Sequence, residues 1–193
     1  MNQVALFAFF VAMFSLSGYA QSNPALKAEL ERIMESDQVP RNEYVAALRA
    51  QHRDSVLIDR LVKTILHNDS VNTVRVTEIL DTHGFPTLAE VGDINIAVWA
   101  VIQHSDIALI DKYMPQFLDA AKNGDLPKRY VATMYDRCEV WHGRPQKYGT
   151  QGTMDENGAF VPSDLLDPAR VDEWRAEMGL PPLEEYIRQM NRK

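Results

Sequence analysis

The segment from Ile94 to His104, INIAVWAVIQH, constrains this chain more than any other because its apolar residues fall on nearly every side of a helix. Such a helix cannot lie on a surface: whichever face met water would leave hydrocarbon exposed at a cost of roughly 25 cal/mol per Å². It needs other helices around it, and the chain provides them. Pro24 opens a stretch in which Leu26, Leu30, Ile33 and Met34 share one stripe, and a second amphipathic stretch runs from about Asn42 to His52, both reading as surface helices. From Ser70, the spacing of Val76, Ile79, Leu80 and His83 marks a helix that Gly84 ends, with Phe85 placed to touch Leu80 and Pro86 blocking continuation. Asp93 reads as the N-cap of the apolar segment. Two further helices are predicted, at about Ile107 to Lys122 and Pro127 to His142, separated by Asn123-Gly124.

After Gly143 the pattern changes. YGTQGTMDENGAFVP alternates polar and small residues around Asp155-Glu156-Asn157-Gly158, a turn signal, so a short hairpin or ordered loop is expected after the fifth or sixth helix. Helix returns with Asp167 as N-cap and Pro168 at the first position, continues to Met178 and stops at Gly179. A last helix runs from Pro182 to about Met190. The expectation is a mainly α, compact single-domain helical bundle over residues 21–193.

Residues 1–20 are read as a cleaved export signal. They carry no charged side chain, their apolar run spans Val4 to Leu16, and Gly18-Tyr19-Ala20 places small residues where a signal peptidase cuts. The run is short of the roughly 20 apolar residues of a spanning helix, so a periplasmic or secreted protein, free of the membrane after cleavage, is expected. The only cysteine, Cys138, excludes an internal disulfide, and its helical spacing from Val131, Met134 and Trp141 suggests a buried, inert thiol. A net charge of -7, all of it beyond residue 20, argues against binding nucleic acid.

Chemistry concentrates in a few places. His83 and His104 each end a predicted helix, where the dipole favours a charged imidazole, so they form a candidate acid-base pair; either could instead simply cap carbonyls. Asp106 could orient His104 or cap the next helix. Asp136 and Arg137 lie about 100° apart on one helix, so they face different targets, and Arg137 would need a carboxylate such as Asp37 or Asp106 if buried. In QKYGTQ, Gly149 permits a positive φ or a close approach, while Gln146, Tyr148, Thr150 and Gln151 bring donors and acceptors. These groups either meet a ligand or tie down neighbouring helix ends, and the loop is expected to fold back beside His104. No serine-hydrolase elbow, phosphate-binding glycine loop, His-Glu-x-x-His or cysteine pair is present; His83, His104 and Asp106 would make a possible metal-ligand set, but nothing in their spacing demands it, and neither metal nor cofactor is expected.

Taken together, Asp37-Gln38 with Arg41, Ile79-Leu80 with His83-Gly84-Phe85-Pro86, Gln103-His104-Ser105-Asp106, Asp136-Arg137, and Gly143 with Gln146 and Tyr148-Gly149-Thr150-Gln151 resemble a bacterial family built around a domain of unknown function. Phe85 stands where that family more often has Trp, and Ser105 where it often has Ala. The resemblance implies a shared helical fold and a shared polar cluster that takes in Asp37 and Arg41, and it implies no activity. Three functions remain open: binding of a small polar or anionic ligand in a cleft among these residues, metal-independent hydrolysis or transfer with His104 as base and His83 as acid, or a structural or partner-binding role.

If the first residues are an export signal, the intact mass of protein recovered from the periplasm or medium should correspond to a chain beginning near Gln21. Recovery of the full-length chain in the membrane fraction would overturn that expectation.

Overall fold

The computed structural model describes residues 22–192, so the segment read as an export signal lies outside the described residues. The mainly α expectation holds: α1 (Pro24–Arg49), α2 (Ser55–Thr82), α3 (Leu88–Val91), α4 (Ile96–Gln103), α5 (Ile107–Asn123) and α6 (Lys128–Trp141) precede a hairpin of β1 (Gly152–Met154) and β2 (Phe160–Pro162), and α7 (Val171–Glu177) and α8 (Leu183–Asn191) follow it. The hairpin is antiparallel, with Thr153 opposite Val161. Its turn is held by Asp155, whose side chain accepts from the Asn157 and Ala159 amides.

As its composition demands, α4 is the centre, with Ala97, Val98, Ala100, Val101 and Ile102 all buried. Leu26, Leu30 and Ile33 from α1, Val76, Ile79 and Leu80 from α2, Phe117 from α5 and Val131 and Met134 from α6 close around it. The start is shifted from the expected one. Asp93 lies in a 3-10 turn, Gly92–Asn95, that feeds α4, and the capping box forms earlier, between Thr87 and Glu90. Asp167 likewise caps only a turn, accepting from Ala169, before α7 begins at Val171.

Two larger corrections concern the long hairpin. The stretches expected as separate helices are one helix of 26 residues that runs through Pro40, and α1 reaches the core rather than lying on the surface. α2 begins at Ser55, capped by Asp54, fifteen residues before the Ser70 start read from the sequence, and is 28 residues long. Pro40 has no N–H, so it leaves the Ser36 carbonyl, four residues back, without its helical donor. Asn68 of α2 fills the gap, donating from Nδ2 to that oxygen at 2.8 Å. The break is thereby mended by the neighbouring helix, a partner 32 residues away that local sequence could not reveal.

Around this repair the seam between α1 and α2 turns polar. Ser36 also accepts from Asn72, and Asp37, Arg41 and Asp69 face one another. On the far side the seam buries little besides Ala47 and Leu61, so the apolar core ends where the polar layer begins.

Asn68→Leu should cost about 1–2 kcal/mol in urea unfolding, because it orphans a partly buried carbonyl. Adding Pro40→Ala should recover most of that loss, since alanine supplies the amide that proline lacks; a double variant no more stable than the single would refute the repair.

Candidate functional site

The stretch QKYGTQ folds back, but onto Asp136 rather than His104. Asp136, fully buried on α6, accepts from the amides of Lys147, Tyr148 and Thr150 at 2.9 Å each and from the Thr150 hydroxyl at 2.9 Å. Burial pushes this carboxyl above its ordinary value, while donors from Thr150, Tyr148 and Lys147 pull the other way. Gln146, also fully buried, donates to the Gln151 and Ser163 carbonyls and accepts from the Gln151 amide. Gly149 has φ 67°, and a Cβ there would meet Leu183 at 2.8 Å and Leu165 at 3.2 Å, so the position needs both the left-handed backbone and the absence of a side chain.

From the other side Arg175, buried on α7, donates to the carbonyl oxygens of Tyr148 and Pro181 and lies 4.9 Å over the Tyr186 ring. Tyr186 in turn donates to the Thr150 carbonyl at 3.2 Å. The Tyr148 residue is thus held between a buried anion on its N–H and a buried cation on its C=O. Tyr148, Thr150 and Gln151, which the sequence offered to a ligand, are engaged by the protein's own backbone and side chains. Arg175 and Tyr186 were missed, for no local pattern distinguishes one arginine on a short helix.

The histidines occupy different places. His83, C-cap of α2, turns Nε2 to Glu90 Oε1 at 3.1 Å and borders a cavity with Asn23 and Leu26 at the first turns of α1. His104, C-cap of α4, meets Arg41 and also Asp37, which lies eleven residues further along α1 than Leu26, about 16 Å by helical rise. The structure does not bring the two rings together as a pair. Asp106 stands at the N-cap position of α5 without a side-chain cap bond and is exposed, so it does not orient His104.

Asp37 takes that role. Its carboxylate, nearly inaccessible, lies 3.2 Å from His104 Nδ1, and the Arg41 Nε–H lies 3.1 Å from the same nitrogen. The two contacts serve different states of the ring: unprotonated, Nδ1 accepts from Arg41, and protonated, it donates to Asp37. Arg41 is anchored by Asp69 at 2.6 Å. Burial alone would push the Asp37 carboxyl up, but the hydrogen bond and charge of His104, the Gln38 amide and Arg41 outweigh it and hold it below its ordinary value. The His104 side chain remains 24% exposed.

Arg137 faces this side of the molecule, as its angle from Asp136 requires. Neither Asp37 nor Asp106 pairs with it; its hydrogen bond, at 3.1 Å, goes to the Gln103 carbonyl at the end of α4, where a cation offsets the helix dipole. Burial lowers its pKa, and its Nε has no partner. Cys138 is 5% exposed, and burial and then Asp111 push its thiol up to about 12, in keeping with an inert role. Trp141 breaks the expected stripe: at the last turn of α6 it is 62% exposed. Among the described residues no group of three His, Cys, Asp or Glu is placed to hold a metal, and no helix is long and apolar enough to cross a membrane.

The model of a family described as "Family of unknown function (DUF6624)" matches residues 24–193. No curated protein and no solved structure matches the chain.

Removing the carboxylate of Asp136 strands three amides and a hydroxyl, so Asp136→Ala should cost about 3–5 kcal/mol by chemical denaturation. Thr150→Val, which removes only the hydroxyl, should cost about 1 kcal/mol. Equal losses would show that the amides do not depend on Asp136.

Proposed function

This chain belongs to that family of unknown function, and from that premise we propose that it binds a small polar or anionic ligand at the C-terminal edge of α4, where His104 and Arg137 stand. The reading rests on one observation: a part-exposed imidazole fixed by a buried carboxylate, beside a half-buried guanidinium without a carboxylate of its own. The charges around the ring favour an anion conditionally. Asp37 and Asp69 are offset by Arg41 and Arg137, so the cluster is balanced with His104 neutral and gains one positive charge when it is protonated. An anion arriving there meets its complement.

A second reading, metal-independent hydrolysis or transfer, is favoured by the same Asp37–His104 contact. A carboxylate on Nδ1 orients the ring and stabilises it once it has taken a proton, which is what a general base needs. His104 would then act with Asp37 as the orienting residue and Arg137 as the anion stabiliser; His83 takes no part. Export to the periplasm or medium belongs to the proposal as well, resting on the uncharged apolar start of the chain and the small residues at Gly18 and Ala20. So does the absence of nucleic-acid partners, on the strength of the acidic net charge.

Titrating the mature protein with inorganic phosphate near pH 6 should shift the His104 ring resonances saturably, and Arg137→Gln should weaken that response at least about fivefold. His104→Gln should abolish slow turnover of p-nitrophenyl acetate if the base reading holds. A phosphate response that survives Arg137→Gln unchanged, or no response at His104 at all, would sink the ligand reading.

A further inference from the structure

One ring nitrogen of His104 faces two charged groups with opposite requirements. Arg41 Nε–H lies 3.1 Å from Nδ1 and can only donate, while Asp37 Oδ1 lies 3.2 Å from the same atom and can only accept. In the neutral ring, a proton on Nδ1 serves Asp37 but sets two N–H groups against each other. A proton on Nε2 serves Arg41 and leaves Asp37 Oδ1 opposite a lone pair.

The remaining contacts decide between these arrangements. Asp37 has alternatives: Oδ2 accepts from Gln38 Nε2 at 2.6 Å, and Oδ1 lies 3.6 Å from Arg41 Nη2. Arg41 Nε has no other acceptor among the described residues, because the bond to Asp69 is made by Nη2. Only the proton on Nε2 gives that part-buried N–H an acceptor, and a stranded donor on a charged group is expensive. The other charges on this side are Asp69 of α2, reached through Arg41, Arg137 of α6, bonded to the Gln103 carbonyl, and Asp106, which is exposed.

The ring edge turned away from α1 carries Nε2. Among the described residues its side-chain contact is the Gln103 amide at 3.5 Å, the outer limit of a hydrogen bond, so a better acceptor can displace it.

We propose that Arg41 sets the tautomer of this site: it keeps the neutral His104 ring protonated on Nε2, so the outer edge is a donor in both charge states and the ligand is an oxyanion that only accepts. This inference rests on the ligand reading above and adds that binding outlasts the positive charge of the ring. Protonation adds that charge, but Nε2–H is present before and after it. The hydrolytic reading loses ground by the same geometry. A general base needs a lone pair facing its substrate, and the lone pair of the neutral ring faces α1, so catalysis would require Arg41 to withdraw.

The test begins with long-range proton–nitrogen correlations of the His104 ring in the mature protein at about pH 9, where an imidazole is neutral. The proton should reside on Nε2, and Arg41→Met should move it to Nδ1, where Asp37 remains as acceptor. Sulfate, whose charge is constant across the range, is then titrated at about pH 6 and about pH 9. Wild-type affinity should fall by no more than about fivefold between the two, and that of Arg41→Met by at least about twentyfold. Each ratio is taken within one protein, so the lost charge of Arg41 does not enter it; if the variant does not fold, the wild-type spectrum and titration still decide. A wild-type neutral ring protonated on Nδ1, with sulfate bound at pH 6, would overturn this inference and leave the ligand reading standing. A ring protonated on Nε2 with no sulfate response at either pH would overturn the ligand reading, and with it the use assigned to the tautomer.

Discussion

The carboxylate of Asp136 holds the last third of this protein in place. Beyond α6 the chain is short of apolar anchors: its own buried cluster amounts to Ala132, Tyr148 and Trp174 with a few partly buried neighbours. Hydrocarbon of that extent would not fix a loop, a hairpin of two three-residue strands and two short helices in one arrangement. Directional bonds can. Asp136 collects amides from residues 147, 148 and 150, and Arg175 takes the Tyr148 carbonyl from the opposite side. The loop is a bridge between two buried charges of opposite sign, each bonded to its backbone rather than to the other, although Arg175 keeps one buried nitrogen, Nη2, without a partner. Charges buried in this manner lean heavily on each partner, because the desolvation of each is large and is offset by hydrogen bonding.

The first two thirds obey a different rule. There an apolar helix sits at the centre and the long α1–α2 hairpin wraps past it, so packing sets the architecture. Yet the hairpin outruns the core, and at that point its seam changes character from Leu30 and Val76 to Ser36, Asp37, Asn68 and Asn72. Pro40 belongs to the same transition. Removing one helical hydrogen bond from α1 there gives Asn68 a reason to be on α2, and the resulting polar layer is where His104, at the end of α4, finds Asp37 and Arg41. The candidate site is thus continuous with a structural feature, and the part-exposed ring reaches solvent from that layer together with Arg41 and Asp69.

Each histidine at a helix end is tethered by a carboxylate, but through opposite nitrogens: His83 by Nε2 and His104 by Nδ1. The free nitrogen therefore differs, and so does what surrounds it. His83 borders a cavity whose lining includes Leu26, Glu29 and Arg32; His104 stands in a balanced set of charges. Two settings of different character follow from one recurring local motif, a histidine at the C-cap of a helix.

Much of this was legible in the chain itself. The all-round apolar segment fixed a central helix, the Asn123-Gly124 and Asp155–Gly158 signals fixed two turns, and the mainly α class with one late hairpin followed from them, because such features depend on residues within a turn or two of one another. The angle between Asp136 and Arg137 was legible too, since helical geometry alone sets it. What the sequence could not determine was partnership across long separations. Asp37 rather than Asp106 orients His104, Asn68 meets the Ser36 carbonyl that Pro40 leaves bare, and Arg175 closes the clamp begun by Asp136; these pairs are 67, 32 and 39 residues apart. Hydrogen bonds between such residues leave no periodicity behind. They depend on which helix packs against which, and only the tertiary structure decided that.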